Sequence, residues 1–238
     1  MKNIEISIVI PMFNEEGSII DTVNDLISCM IKSGLEFEIL IIDDNSTDNS
    51  DSIVKKLSKE NEKIRYLLNE NDRGFGNAVK YGLDNFQGDV VVIVMADASD
   101  KPEDILKFYK KMISTNSDCV FGNRFCEGGQ TVEYPFIKLI INRIFNNFIR
   151  IFVLQNYADY TNAFKMYKKE VIENIKPFKS SGFSLTLEIP LKAIKSNYTY
   201  EIVPNSWTNR KAGYSKLNIL KNSKSYFLIF LNFFTNKL

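Results

Sequence analysis

The chain has 238 residues, 45% of them hydrophobic, which is enough for one α/β domain with a sizeable core. Lys plus Arg (30) and Asp plus Glu (29) nearly cancel to a net charge of +1, so bulk charge gives no footing for nucleic acid or another polyanion. Histidine is absent, which excludes a Ser-His-Asp triad, a histidine general base and a His-ligated zinc site.

Cys29, Cys119 and Cys126 form no C-x-x-C pair, and their odd number is expected of reduced thiols in a cytosolic protein. Glu5 and Pro11 interrupt the first apolar run, so it does not read as a signal peptide. No stretch reaches the roughly 20 apolar residues that span a bilayer. The expectation is a soluble or membrane-peripheral protein.

In chain order, Ile4–Ile10 predicts a buried strand ended by Pro11. Asn14 reads as a helix N-cap with Glu15 and Glu16 in the first turn, followed by Ile19, Val23, Leu26, Ile27, Met30 and Ile31 at helical spacing. Phe37–Ile42 predicts a second strand, and the cap-rich Asn45-Ser46-Thr47-Asp48 opens a helix to about Leu57. Ile64–Leu68 predicts a strand, Gly74–Phe86 a helix and Val90–Val94 a central strand. Pro102 suits the first turn of the next helix, and Asp118–Phe121 predicts a fifth strand. Further on, Pro135–Leu154 is a long apolar segment carrying Lys138, Arg143 and Arg150, and Phe164–Tyr167 and Tyr200–Val203 read as strands. Trp207–Lys216 is polar and basic, and Tyr226–Phe234 is aromatic-rich.

Alternation of this kind predicts a parallel sheet covered by helices, with ligands beyond the strand C-termini. The loops there read Pro11-Met12-Phe13-Asn14-Glu15, Asp43-Asp44-Asn45-Ser46 and Met95-Ala96-Asp97-Ala98-Ser99-Asp100, and all carry carboxylates. Clustered carboxylates need positive charge among them, and a divalent metal held by Asp97 supplies it. Mg2+ or Mn2+ suits such an oxygen site. Helix capping is the alternative for Asp43 and Asp44, and a turn before Pro102 the alternative for Asp97. Arg73-Gly74-Phe75-Gly76-Asn77-Ala78 reads as a tight turn or as a helix start that approaches a phosphate. Arg124, Arg210, Lys211 and Lys216 are phosphate-binding candidates, with a solvated surface cation as the alternative for each.

These segments, with Gly122-Asn123-Arg124-Phe125, Asp159-Tyr160-Thr161-Asn162-Ala163-Phe164 and Asn209-Arg210-Lys211-Ala212-Gly213-Tyr214-Ser215-Lys216, run in order from residue 6 to about 217. Together they resemble the family 2 glycosyltransferases, most closely the dolichyl/polyprenyl-phosphate mannosyl- or glucosyltransferase branch. The resemblance implies a GT-A fold: a mainly parallel sheet flanked by helices, here with C-terminal amphipathic helical segments. It implies a transferase domain over 1–217 and an apolar helix over 218–238, membrane-peripheral or oligomerising.

The resemblance also implies a nucleotide-diphospho-sugar donor, held by Pro11, Phe13, Glu15, Ile42, Asp44, Gly76, Ala96, Asp97 and Lys216. Asp97, Asp100, Arg124 and Arg210 are the implied catalytic set, Arg143 and Arg124 the acceptor-phosphate cations, and Asp97 with Asp100 the ligands of Mg2+ or Mn2+. Aligned on Pro102-Glu103, Met95 stands where the family's D-x-D motif has its first Asp.

An inverting transfer then follows, in which metal and cations stabilise the departing nucleoside diphosphate. A polyprenyl phosphate acceptor is already anionic and needs no general base. A glycan hydroxyl needs one, and Asp100 and Glu188 are the candidates, with pairing to a lysine the alternative for Glu188. Arg143 and Arg150 lie seven residues apart on one helix face, and basic residues beside aromatic ones suit a segment on the inner membrane surface. A core helix and a C-terminal dimerisation helix are the competing reading. A glycan-modifying transferase, a silent nucleotide-sugar-binding protein and a membrane-peripheral interaction module stay open as alternatives.

Overall fold

The computed structural model describes residues 3–153, 155–210 and 219–235. Leu154, Lys211, Lys216 and the domain boundary expected at 217 lie outside the described residues. The first half runs β1 (Ile6–Met12), α1 (Ile19–Ser33), β2 (Phe37–Asp43), α2 (Ser50–Glu60), β3 (Ile64–Leu68), α3 (Phe75–Asn85), β4 (Val90–Ile93), α4 (Pro102–Thr115) and β5 (Cys119–Asn123). The second half runs β6 (Gln130–Val132), α5 (Phe136–Val153), β7 (Lys165–Lys168), α6 (Lys169–Asn174), α7 (Leu185–Lys195), β8 (Tyr200–Pro204), β9 (Ser206–Thr208) and α8 (Ile219–Phe234).

Among the described residues, seven strands form one sheet in the order β3-β2-β1-β4-β7-β5-β8, and β6 pairs with β9 in a small second sheet. The large sheet is parallel except for β7, which runs antiparallel between β4 and β5. Alternation along β1 sends Ile8 and Ile10 to one face and Val9 to the other. The first face packs against α1, α2 and α4 through Val23, Leu26, Val54, Ile105 and Phe108. The second packs against α3, α5, α7 and α8 through Ala78, Leu83, Ile149, Ile189, Ile229 and Phe230. Both faces of the central strands are buried, which is why β1, β2 and β4 read as continuous apolar runs.

Three local expectations are corrected. Asn14 does not cap α1: it takes a left-handed φ of 52°, and its Oδ1 accepts the Thr47 N–H at 2.7 Å, tying the loop after β1 to that after β2. The helix starts only at Ile19. The α2 helix likewise starts at Ser50, whose N–H is accepted by Asp48 Oδ1 at 2.9 Å. The glycines before α3 do not offer a phosphate cradle, because the Gly76 and Asn77 N–H groups donate to the Ser181 carbonyl. A Cβ at Gly76 would stand 2.7 Å from the Ser181 and Gly182 backbone, so the glycine serves close packing.

Among the described residues, no helix is long and apolar enough to cross a membrane.

Candidate active site

β1 and β4 are neighbours in the sheet, and β2 lies on the other side of β1. Their C-terminal loops diverge at this switch point and leave a cleft of about 530 Å³. Pro11, Phe13 and Glu15 enter it from β1, Asp44 from β2, and Met95, Asp97, Ser99 and Asp100 from β4. Arg124 follows β5, Arg210 follows β9, and Tyr226 reaches in from α8.

At one end, the Arg73 guanidinium lies 4.1 Å over the Phe13 ring, making a flat cationic wall of the kind a nucleobase stacks on. Asp44 faces it, fixed by the Asn69 amide at 2.7 Å and the Gly74 N–H at 2.9 Å. Burial pushes the Asp44 carboxyl above its usual range, and these two donors pull against that rise.

The loop after β4 forms the floor. Ser18 Oγ and Thr22 Oγ1 of the α1 region both donate to the Ala96 carbonyl, at 3.0 and 3.1 Å, and so brace the backbone next to Asp97. Asp97 Oδ1 accepts the Ser99 N–H at 3.2 Å, and Oδ2 accepts Arg210 Nη2 at 2.6 Å. Arg210 Nη1 also reaches Glu15 Oε1 at 3.4 Å. Asp100 is buried and accepts the Met95 N–H at 3.1 Å. Burial pushes its carboxyl up to about 7 despite that donor, and the Asp97 charge adds to the rise.

At the far end, Arg124 is clamped by Asp159 through Nε at 2.8 Å and Nη2 at 2.7 Å. Burial opposes its charge, but Asp159 outweighs burial and the guanidinium stays charged. Tyr134 and Trp207, with ring centroids 4.8 Å apart, and Lys138 complete this side. Burial, then the nearby Arg210, hold the Lys138 ammonium below its usual pKa.

The fold therefore brings together Pro11, Phe13, Glu15, Asp44, Asp97, Asp100, Arg124 and Arg210. Ile42, Gly76, Ala96 and Arg143 do not line the cleft. Ile42 points into the core, and Arg143 packs 4.4 Å over the Phe125 ring while donating to the Ala158 carbonyl. Asp43 shapes its turn by accepting the Ser46 N–H. Glu188 is fully buried away from the cleft, where it accepts the Lys179 and Ser180 N–H groups and lies 3.7 Å from Lys192, the lysine-paired alternative. Sequence reasoning assigned no site role to Ser99, Tyr134, Lys138, Asp159, Trp207 or Tyr226. Ser99 and Asp159 lay inside motif segments, Lys138 and Tyr226 in the two apolar segments and Trp207 at the head of the basic stretch, whereas Tyr134 carried no signal.

The family model described as glycosyl transferase family 2 matches residues 7–176. The chain belongs to that family. It is 28% identical over 216 residues to a dolichol-phosphate mannosyltransferase of Pyrococcus furiosus, an alignment covering 90% of this chain and 59% of that one. It is 24% identical to the polyprenol monophosphomannose synthase of Mycolicibacterium smegmatis, covering 89% and 80% of the two chains. Among solved structures, glucosyl-3-phosphoglycerate synthase from Mycobacterium tuberculosis, in complex with Mn2+, UDP and glucosyl-3-phosphoglycerate, superposes with a TM-score of 0.73. That match has 18% identity and covers 96% of this chain and 79% of the synthase, so it speaks to the GT-A fold.

Proposed function

We propose that this family 2 member is a hexosyltransferase that moves a sugar, with inversion, from a nucleotide-diphospho-sugar to a polyprenyl monophosphate at the cytosolic face of a membrane. The observation that carries the acceptor reading is which helices line the cleft. Lys138 of α5 and Tyr226 of α8 line it, and these two helices carry a run of exposed apolar side chains. Phe136 and Ile137 are each 72% exposed, Ile144 and Ile151 each 67%, and Phe227, Leu228, Leu231 and Phe234 continue the face on α8. Phe152 touches Phe230 and Phe234, so the two helices form one surface. Neither helix contains an acidic residue, while α5 carries Lys138, Arg143 and Arg150. An apolar face without acidic residues, with Arg150 and Lys224 exposed on the two helices, suits an anionic bilayer and would set a lipid's phosphate beside the cleft. In this reading residues 1–217 form the transferase domain and 218–238 the docking helix.

The residues present fit a divalent cation, Mg2+ or Mn2+. Asp97 would hold it, with Asp100 beside it, and the buried Ser99 hydroxyl, which has no hydrogen-bond partner among the described residues, adds an oxygen nearby. No group of three or more acidic, Cys or His ligands occurs among the described residues, so a bound ion would depend on donor oxygens as well as on Asp97. When bound, the ion supplies positive charge against the leaving diphosphate.

The chain's own groups do the rest. Phe13, Arg73 and Asp44 hold the nucleoside and Arg210 meets the diphosphate. The clamped Arg124 aligns the acceptor phosphate, with Trp207 and Tyr134 shielding that end. The acceptor oxygen arrives ionised, so no side chain must take a proton.

Labelled UDP- and GDP-sugars, supplied with polyprenyl phosphate in vesicles, should yield an organic-extractable, mild-acid-labile product. Water-soluble product alone would refute the lipid acceptor. Asp97→Ala should lower turnover by about a hundredfold or more, and full turnover would remove the site assignment.

A further inference from the structure

Glu15 and Asp97 come from different loops, after β1 and after β4, and both are nearly buried. Two carboxylates in such a place repel unless a cation lies between them. Arg210 supplies it from a third segment, after β9, with one guanidinium nitrogen 2.6 Å from Asp97 Oδ2 and the other 3.4 Å from Glu15 Oε1. Both Asp97 oxygens are thus engaged, Oδ1 by the Ser99 N–H and Oδ2 by Arg210. Of the two acids on this loop, Asp100 is turned onto the Met95 N–H, and Asp97 is the one that holds Arg210, so Asp97 is the carboxylate that Arg210 and a metal would share.

We propose that Arg210 and the divalent cation occupy Asp97 alternately. With the cleft empty, Arg210 is the resident cation. Entry of the metal with a nucleoside diphosphate moves the guanidinium from Asp97 onto the phosphates, which give it an equivalent anionic partner. The metal alone offers no such partner and must compete with the ion pair. Metal and nucleotide therefore bind with positive coupling, and the coupling is reciprocal. This rests on the proposed function in taking the cleft to accept a cation and a diphosphate, but it concerns the order of loading, which that reading leaves open.

The test is Mn2+ binding, measured by the electron paramagnetic resonance of the free ion, on the full chain with and without UDP or GDP. Arg210→Gln should bind Mn2+ alone about tenfold more tightly than the parent, a change of about 1.4 kcal/mol. The further tightening by UDP or GDP should be smaller in the variant than in the parent. Equal or weaker Mn2+ binding by Arg210→Gln overturns the proposal. So does an equal gain in Lys138→Gln, which removes a cation from the same cleft without removing the Asp97 pair. If Arg210→Gln does not fold, Arg210→Lys carries the test. It keeps the charge but loses the two-pronged span, so its Mn2+ affinity should rise by a smaller factor, and no rise overturns the proposal. Asp97→Asn separates the two readings. Mn2+ binding that survives it places the ion elsewhere and sinks the site assignment as well, whereas lost binding there with no gain in Arg210→Gln sinks the exchange alone.

Discussion

Asp159 accepts three hydrogen bonds from Arg124: from the backbone N–H at 3.1 Å, from Nε at 2.8 Å and from Nη2 at 2.7 Å. Asp159 is fully buried and Arg124 nearly so. The arginine legible in the sequence as a phosphate-binding candidate is thus a fixed one, with two of its five guanidinium N–H groups held by Asp159 and the others left to meet a ligand. Its partner stands 35 residues away, and no spacing rule joins two segments that meet only when the chain closes. Breaking a buried pair leaves an uncompensated charge, which costs about 3–5 kcal/mol. Asp159→Ala should lose that much stability in urea denaturation. Combining it with Arg124→Met should restore at least half, because the stranded charge is then gone. A loss under about 1 kcal/mol in the single variant would show that the clamp does not hold Arg124.

At the scale of elements, the helices of the first half were legible because each carries a period that one buried face imposes, and its central strands because burial on both faces makes them continuous apolar runs. Their starts were less so. Asn14 has the composition of a cap, yet its side chain is drawn to Thr47 on the next loop, a tertiary contact that overrides local preference. The direction of β7 was not legible, since four residues alternating across a sheet read the same either way. Helices α5 and α8 show the reverse case: their apolar content was plain, but only the fold reveals that their exposed faces adjoin. Asn146 and Ile149 of α5 are buried, whereas Ile137, Ile144 and Ile151 point outward. If that face meets lipid, Ile144→Glu with Leu231→Glu should weaken binding to anionic vesicles at least tenfold, the equivalent of about 1.4 kcal/mol. Being exposed, the two changes should each shift stability by only about 0.5 kcal/mol. Flotation with vesicles reads the first and thermal melting the second. Unchanged flotation would refute lipid docking, and sedimentation to a monomer only in the variant would assign the face to a second copy of the chain.

At the scale of the whole molecule, the cleft draws on nearly the full length of the chain, from Pro11 after β1 to Tyr226 in α8. Its carboxylates were legible, because strand ends in such a sheet are where ligands sit. Its aromatic and cationic wall was not, because Tyr134, Lys138, Trp207 and Tyr226 are assembled by packing. A ligand that bridges these parts must stabilise the folded state as a unit, by RT ln(1 + [L]/Kd), about 2.7 kcal/mol at a hundredfold excess over Kd. For a chain of this size each kcal/mol moves the melting temperature by about 2–4 °C, so a matched nucleoside diphosphate with Mn2+ should raise it by roughly 5–10 °C. The nucleotide without metal should raise it less, since Asp97 and the diphosphate then lack their shared cation. Chelating the metal should reverse the difference. In Asp97→Asn the metal-dependent part should vanish while the part due to Phe13, Arg73 and Asp44 persists. A metal-dependent rise as large in Asp97→Asn as in the parent would mean that the ion binds somewhere other than the floor formed by the loop after β4.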